Sequence, residues 1–221
     1  RQNLKQRIQQ RSLDGHVQPG LDVILVGNNP ASATYVKHKQ RCCEEVGIRS
    51  TCHYMDKHTT VDELTTLIKA LNNNPETHGI LLQLPLPSHL QSQSLLELID
   101  PHKDVDGFHP FNIGQLVLRH PTMRPCTPYG VIHLLEQTGI ELAGANAVIV
   151  GASNIVGRPM ALECLLAKST VTVCHRFTKD LAQHIQQADI LISAIGKPGV
   201  IQSDWIKPNA IVIDVGFNHL E

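Results

Sequence analysis

The sequence predicts an α/β fold in two domains: an N-terminal α/β substrate domain and a C-terminal Rossmann-type, doubly wound parallel sheet. Three observations predict it. Strand-like and helix-like patterns alternate along the whole chain, which favours parallel strands with helices on both faces. The runs LDVILV (21–26), GILLQL (79–84) and AVIV (147–150) read as buried strands. The second half then restarts with a strand, a glycine turn and a helix, the order of a dinucleotide-binding unit.

Taken in order, Leu4 to Arg11 carries apolar residues at helical spacing. Leu21 to Val26 is a strand, followed by a turn at Gly27-Asn28-Asn29-Pro30. Ser32 is the expected N-cap of a helix that runs to about Val46 and is closed by Gly47. Cys52 to Met55 reads as a short strand. Val61 to Leu71 is an amphipathic helix ended by Asn72-Asn73-Asn74-Pro75. Gly79 to Leu84 is the next strand, with Gln83 at its last position before Pro85 and Pro87 stop the sheet ladder. A helix is expected from Ser92 to Ile99, then a polar loop from Asp100 to Asn112. Loops of that length inside a compact unit are usually functional or linkers.

Thr127-Pro128 supplies an N-cap and a first-turn proline for a helix through Gln137. We place the domain boundary here, giving domains 1–125 and 126–221. Ala147 to Val150 opens the second domain's sheet, followed by the turn from Gly151 and a helix to about Ala167. Val171 to Cys174, a helix near Leu181 to Gln187, and strands Ile190 to Ile195 and Ala210 to Val215 complete it.

Composition narrows the function classes. The 221 residues are 42% hydrophobic and 18% charged, with a formal net charge of -1. That fits a globular protein with a filled core, and gives no reason to expect nucleic acid or an anionic membrane as partner. No apolar run approaches the ~20 residues that span a bilayer. The chain opens with Arg1-Gln2-Asn3, not with a signal peptide or Met, and both ends are expected to be cuts through a longer protein. The six cysteines form no C-x-x-C pair and read as buried reduced thiols of a cytosolic protein. The thirteen histidines form no H-E-x-x-H or Cys/His cluster, so no metal site is expected.

Several residues carry chemistry. Gly151-Ala152-Ser153, Gly157 and Arg158 lie where backbone N–H groups and a helix N-terminus meet a pyrophosphate. The spacing is Gly-x-x-x-x-x-Gly instead of the usual Gly-x-Gly-x-x-Gly, so a tight structural turn stays an alternative. At the end of the next strand an NAD site wants an acid, whereas this chain has His175-Arg176. Arg176 suits a ribose 2′-phosphate, which favours NADP, the alternative being a surface cation. Lys39 follows Tyr35 by four residues and shares its helix face. Spacing alone leaves it either a solvated lysine or an acid/base partly buried beside Tyr35. Gln83, an amide on an apolar strand, must find partners, either structural ones or a substrate. Asp104 and Asp106 lie in a loop where acids are ordinary.

The motifs GNNPAS, YVKHK, CEEVGI, GILLQLPLP, KDVDGFHP, RPCTPYG, GASNIVGRPM, HRFT, GKPG and VIDVGFN, in this order, span almost the whole chain. Together they closely resemble the bifunctional methylenetetrahydrofolate dehydrogenase/methenyltetrahydrofolate cyclohydrolase family, in its bacterial form. The resemblance implies oxidation of methylenetetrahydrofolate with NADP, then hydration and ring opening to formyltetrahydrofolate. It makes Lys39 the key catalytic residue, tuned by Gln83. It places Tyr35 against the aminobenzoyl part of folate and has Asp106 hold the pterin ring. It assigns the cofactor to the turn Gly151 to Ser153, the 2′-phosphate to Arg176 and the nicotinamide side to Phe217. It also implies tetrahydrofolate derivatives as substrates, a cytoplasmic homodimer, and a product of use in purine biosynthesis. The family continues beyond VIDVGFN through a Pro-Gly-Gly-Val-Gly-Pro loop and a final helix, which this sequence lacks. A monofunctional relative, a shikimate-type NADP enzyme and a non-catalytic dinucleotide-binding protein are the rival readings.

Overall fold

A computed structural model describes residues 1–216 of the chain. They form two compact units that divide between Phe111 and Asn112. A helix absent from the sequence reading, Pro110–Val117, spans that division. His109 starts that helix, its Nδ1 accepting from Phe111 N at 3.0 Å, and Pro110 fits a first helical position where no N–H is needed.

In the first unit, α1 (Gln2–Leu13), β1 (Gly20–Val26), α2 (Pro30–Val46), β2 (Arg49–Met55), α3 (Val61–Asn73), β3 (Gly79–Leu82) and α4 (Ser92–Leu96) follow one another. The sheet has the order β2-β1-β3 and is parallel throughout. Alternation along β1 divides the core. Ile24 and Val26 face Leu64, Ile68 and Leu71 of α3 with Leu95 and Leu96 of α4. Val23 and Leu25 face Val36 of α2. Burial of each such aliphatic side chain contributes about 1.5–3 kcal/mol.

The caps differ in detail from the sequence reading. The N-cap of α2 is Asn29, not Ser32: the Asn29 side chain accepts from Ser32 N at 3.1 Å, with Pro30 at the first helical position. An Asn-Pro pair caps and starts a helix at once, which leaves Ser32 inside the first turn. Gly47, at φ 89°, ends α2 as expected. Thr60 and Glu63 form a reciprocal capping box on α3. Strand β3 stops at Leu82, so Gln83 is the first residue beyond it, although Gln83 N still donates to Ile24 O at 2.9 Å. The Leu84–Pro85 bond that follows is cis.

The second unit holds α5 (Pro110–Val117, beginning two residues earlier), α6 (Cys126–Thr138), β4 (Asn146–Val150), α7 (Gly157–Leu166), β5 (Thr170–Cys174), α8 (Leu181–Gln186), β6 (Ile190–Ser193), a 3₁₀ turn (Ser203–Trp205) and β7 (Ile211–Asp214). Its sheet runs β5-β4-β6-β7, all parallel. Ala147 and Ile149 pack on α6 and α7, while Val148 and Val150 pack towards Ile185 of α8. Helices on both faces make it doubly wound. The N-cap of α6 is Pro125 instead of Thr127; Pro128 then sits in the first turn, where its missing N–H costs nothing.

The thiols are only partly as expected. Cys43, Cys164 and Cys174 are buried, Cys42 and Cys52 partly so, and Cys126 is exposed at the start of α6. Burial pushes the Cys164 thiol up to about 12, with the Glu163 carboxylate adding to it. Buried Glu163 is held bidentately by Arg124. The Arg124 guanidinium also lies 3.7 Å from the centre of the Tyr129 ring. Among the described residues no helix is long and apolar enough to cross a membrane.

Candidate active site

Three of the four expected catalytic residues come together at the carboxyl ends of β1 and β3, where open parallel sheets bind ligands. Lys39 sits in the third turn of α2. Burial distinguishes it from its neighbour: Lys39 is half-buried, whereas Lys37 is exposed. Lys39 Nζ donates to Gln83 Oε1 at 3.2 Å. The Gln83 amide is oriented from its other side, since Nε2 donates to Leu84 O at 2.8 Å. The amide oxygen is therefore the atom that meets the lysine. The end of β3 and the proline turn thus hold Gln83 by its own backbone and side chain.

Asp106 is the third member. Its half-buried carboxyl interacts electrostatically with Lys39. Burial pushes that carboxyl above its ordinary value; the Lys39 ammonium opposes the shift and the Asp104 charge adds to it. Tyr35 lies one helical turn before Lys39 on α2 and is 46% exposed.

The loop carrying Asp106 is far from an ordinary acidic loop. Asp104 is 2% exposed, and its carboxylate accepts from His109 N at 2.8 Å. Asp104 also forms a parallel bridge to Ile80 of β3. Val105 packs over Gly79, where an added Cβ would lie 2.4 Å from Val105 Cγ1. Lys103, whose role the sequence reading missed, donates from Nζ to the carbonyls of Leu71, Asn72 and Asn74. Its place in the KDVDG run was the available signal.

In the second unit the expected cofactor residues gather at the carboxyl end of β4. The neighbours β5 and β6 lie on opposite sides of it, the topological switch point of such sheets. Gly151, at φ 125°, follows β4 directly; a Cβ there would lie 2.4 Å from Ala194 O. A Cβ on Gly157 would meet Gly151 O at 2.0 Å. The two glycines therefore let the start of α7 approach the turn without side chains between them, a cradle of the kind a pyrophosphate fits. Ser153 Oγ accepts from Val156 N and Gly157 N at 3.2 and 3.3 Å. Those two bonds were not foreseen for Ser153. Arg158 Nε donates to Ala152 O at 3.2 Å, tying the helix start to the turn.

Gly151 N donates to Cys174 O at 2.9 Å, so the turn after β5 lies alongside. There His175 N donates to Thr178 Oγ1 at 2.8 Å, and Thr178 N donates back to His175 O at 2.9 Å. This closed turn exposes Arg176, whose guanidinium lies 4.6 Å from the Phe177 ring centre. Phe217 lies outside the described residues.

Comparison with known proteins places both parts of the chain in one family. The family model for the tetrahydrofolate dehydrogenase/cyclohydrolase catalytic domain matches residues 1–106. That for the NAD(P)-binding domain of the same family matches residues 125–221. The bifunctional FolD methylenetetrahydrofolate dehydrogenase/cyclohydrolase of Campylobacter jejuni is 50% identical, with a TM-score of 0.96 over 100% of this chain and 78% of its own. A methylenetetrahydrofolate dehydrogenase of Bombyx mori is 39% identical, with a TM-score of 0.91 over 97% of this chain and 78% of its own. The dehydrogenase-cyclohydrolase of Trypanosoma brucei, solved with NADP and an inhibitor, is 35% identical, with a TM-score of 0.93 over 97% of this chain and 74% of its own. The chain belongs to the tetrahydrofolate dehydrogenase/cyclohydrolase family, as an enzyme with both the dehydrogenase and the cyclohydrolase activity.

Proposed function

We propose that the chain oxidises methylenetetrahydrofolate to methenyltetrahydrofolate with NADP and hydrolyses the product to formyltetrahydrofolate, using Lys39, Gln83, Asp106 and Tyr35. The observation that carries this assignment is the 3.2 Å bond from Lys39 Nζ to Gln83 Oε1. To act as a base Lys39 first releases a proton from its ammonium form to solvent, which leaves two N–H groups and one lone pair. Gln83 engages one N–H and so aims the lone pair. That lone pair takes one proton of the water that adds to the methenyl cation, and Lys39 returns it to the ring nitrogen whose bond to that carbon breaks. The remaining hydroxyl proton passes to solvent as the formyl C=O forms.

Asp106 accepts hydrogen bonds from the amino and ring N–H groups of the pterin. Its partial burial makes each such bond stronger than it would be in water. Tyr35, exposed one turn away, stacks on the aminobenzoyl ring. Bound NADP supplies the hydride acceptor for the first step. Gly151, Ala152, Ser153, Gly157 and Arg158 form the cradle that fits its pyrophosphate, and Arg176 pairs with the 2′-phosphate. Presence of an arginine where an NAD site wants an acid favours NADP, in line with the NADP-bound Trypanosoma brucei relative. By the habit of its family the enzyme works as a cytoplasmic homodimer, and its formyl product is of the kind that purine biosynthesis consumes.

The test supplies methylenetetrahydrofolate with NADP⁺ or NAD⁺ and follows reduced cofactor together with methenyltetrahydrofolate. Reduction with a lower KM for NADP⁺, and methenyltetrahydrofolate that does not accumulate, is the expected result. Reduction without hydrolysis, or preference for NAD⁺, contradicts the proposal.

A further inference from the structure

The Asp106 loop is held by Lys103, whose side chain bonds to the end of α3. Helix α3 has no basic residue in its last turn, although its unpaired carbonyls and dipole favour a cation there. Lys103 supplies it from the other segment. Its Nζ donates to Leu71 O at 3.1 Å, Asn72 O at 2.7 Å and Asn74 O at 2.9 Å. All three donors of the ammonium are used. The Asn72 side chain fastens the same segment upstream, donating to Leu98 O at 2.7 Å and accepting from Asp100 N at 2.9 Å.

From Lys103 the restraint passes along the backbone to Asp106. Lys103 O accepts from Ile80 N at 2.7 Å, which sets the loop against β3. Asp104 N donates to Asp100 O at 3.0 Å, and Gly107 N to Asp104 O at 3.2 Å, closing a turn around Asp106. Gly107, at φ 69°, permits that turn. Asp106 is thereby presented towards Lys39 by a chain of bonds that begins at the end of α3.

We propose that Lys103 is a positioning residue for folate binding, acting only through the placement of Asp106; this rests on the reading that Asp106 holds the pterin. An anchor lost here lets the carboxylate drift, and displacement of about 1 Å is enough to cost binding without removing the chemistry of Lys39.

The experiment is a double-mutant cycle on the enzyme with Lys103→Met and Asp106→Ala. Lys103→Met should raise the KM for methylenetetrahydrofolate about tenfold, with kcat within about threefold and the KM for NADP⁺ unchanged. On the Asp106→Ala background it should raise the folate KM no further than about twofold. Lys103→Arg, which keeps the donors, should restore most of the affinity. If Lys103→Met does not fold, Lys103→Gln, with a shorter donor, should give an intermediate KM in the same cycle. An unchanged folate KM in the Lys103 variants while Asp106→Ala raises it overturns this inference alone. Full additivity of the two substitutions also overturns it, since Lys103 would then act by another route. An unchanged KM in Asp106→Ala overturns the reading of Asp106, and the inference with it.

Discussion

Lys39 Nζ and Gln83 Oε1 are bonded at 3.2 Å, while the other end of the same amide is fixed on Leu84 O. The glutamine is thus an oriented acceptor held by the strand end that precedes the proline turn. Replacing Gln83 by Leu removes that acceptor with little change in volume. Cyclohydrolase turnover should fall by about 10-fold or more, because a hydrogen bond to a group that becomes charged is worth about 1.5–3 kcal/mol. The KM for NADP⁺ should not move. Initial rates with methenyltetrahydrofolate as substrate check it, and an unaltered rate would remove Gln83 from the mechanism.

Arg176 is exposed on the turn after β5 and stacked on Phe177. Loss of a charge-assisted contact to a 2′-phosphate costs about 1.5–3 kcal/mol. Arg176→Ala should therefore raise the KM for NADP⁺ about 10- to 100-fold and leave that for NAD⁺ within a factor of about two. Equal losses with both cofactors would show that Arg176 supports the turn and does not read the phosphate.

Burial holds the Asp106 carboxyl above its ordinary value in spite of the Lys39 ammonium. The folded state then binds its proton more tightly than the unfolded chain does. Stability contributed by this group is present below the unfolded value and is lost as pH rises through the raised one. Asp106→Asn removes the penalty of a buried charge, so the variant should melt higher than the parent at pH 7. The gain should shrink as pH falls through the raised value towards the ordinary carboxylate range. Thermal melts of both proteins across that range decide it; a gain that grows towards low pH would contradict the sign.

Glu163 is buried, and Arg124 donates to both of its carboxylate oxygens. Arg124→Ala leaves an uncompensated charge inside the second unit. That change should destabilise the chain by about 3–5 kcal/mol, read as a lowered denaturation midpoint. Glu163→Gln paired with Arg124→Met should recover much of the loss. Arg124 belongs to the RPCTPYG run, so this motif residue has a part in folding.

Much of the fold was legible in the sequence because apolar runs and helix punctuation are local signals. The runs at 21–26 and 147–150 became β1 and β4 nearly residue for residue. Helix α5 was not legible, since His109-Pro110 starts it within a stretch rich in loop formers. Ser32 was misread because either Asn29 or Ser32 can cap a helix, and the choice depends on Pro30 fixing the first turn. At the site, spacing alone left Lys39 open. What separated it from Lys37 was partial burial and a bond to Gln83, 44 residues away in sequence. Lys103 and Asp104 stayed hidden for the same reason, since their partners lie on α3, β3 and at His109.

In the proposed function Lys39 carries the proton of hydration, whereas hydride transfer depends mainly on positioning. The most direct measurement compares both half-reactions in Lys39→Met, which keeps the side chain's length and removes its amine. Hydrolysis of methenyltetrahydrofolate should fall by about 10²–10⁴-fold, NADP⁺ reduction should persist, and methenyltetrahydrofolate should accumulate. A variant that hydrolyses methenyltetrahydrofolate at the parent rate would contradict the assignment of Lys39.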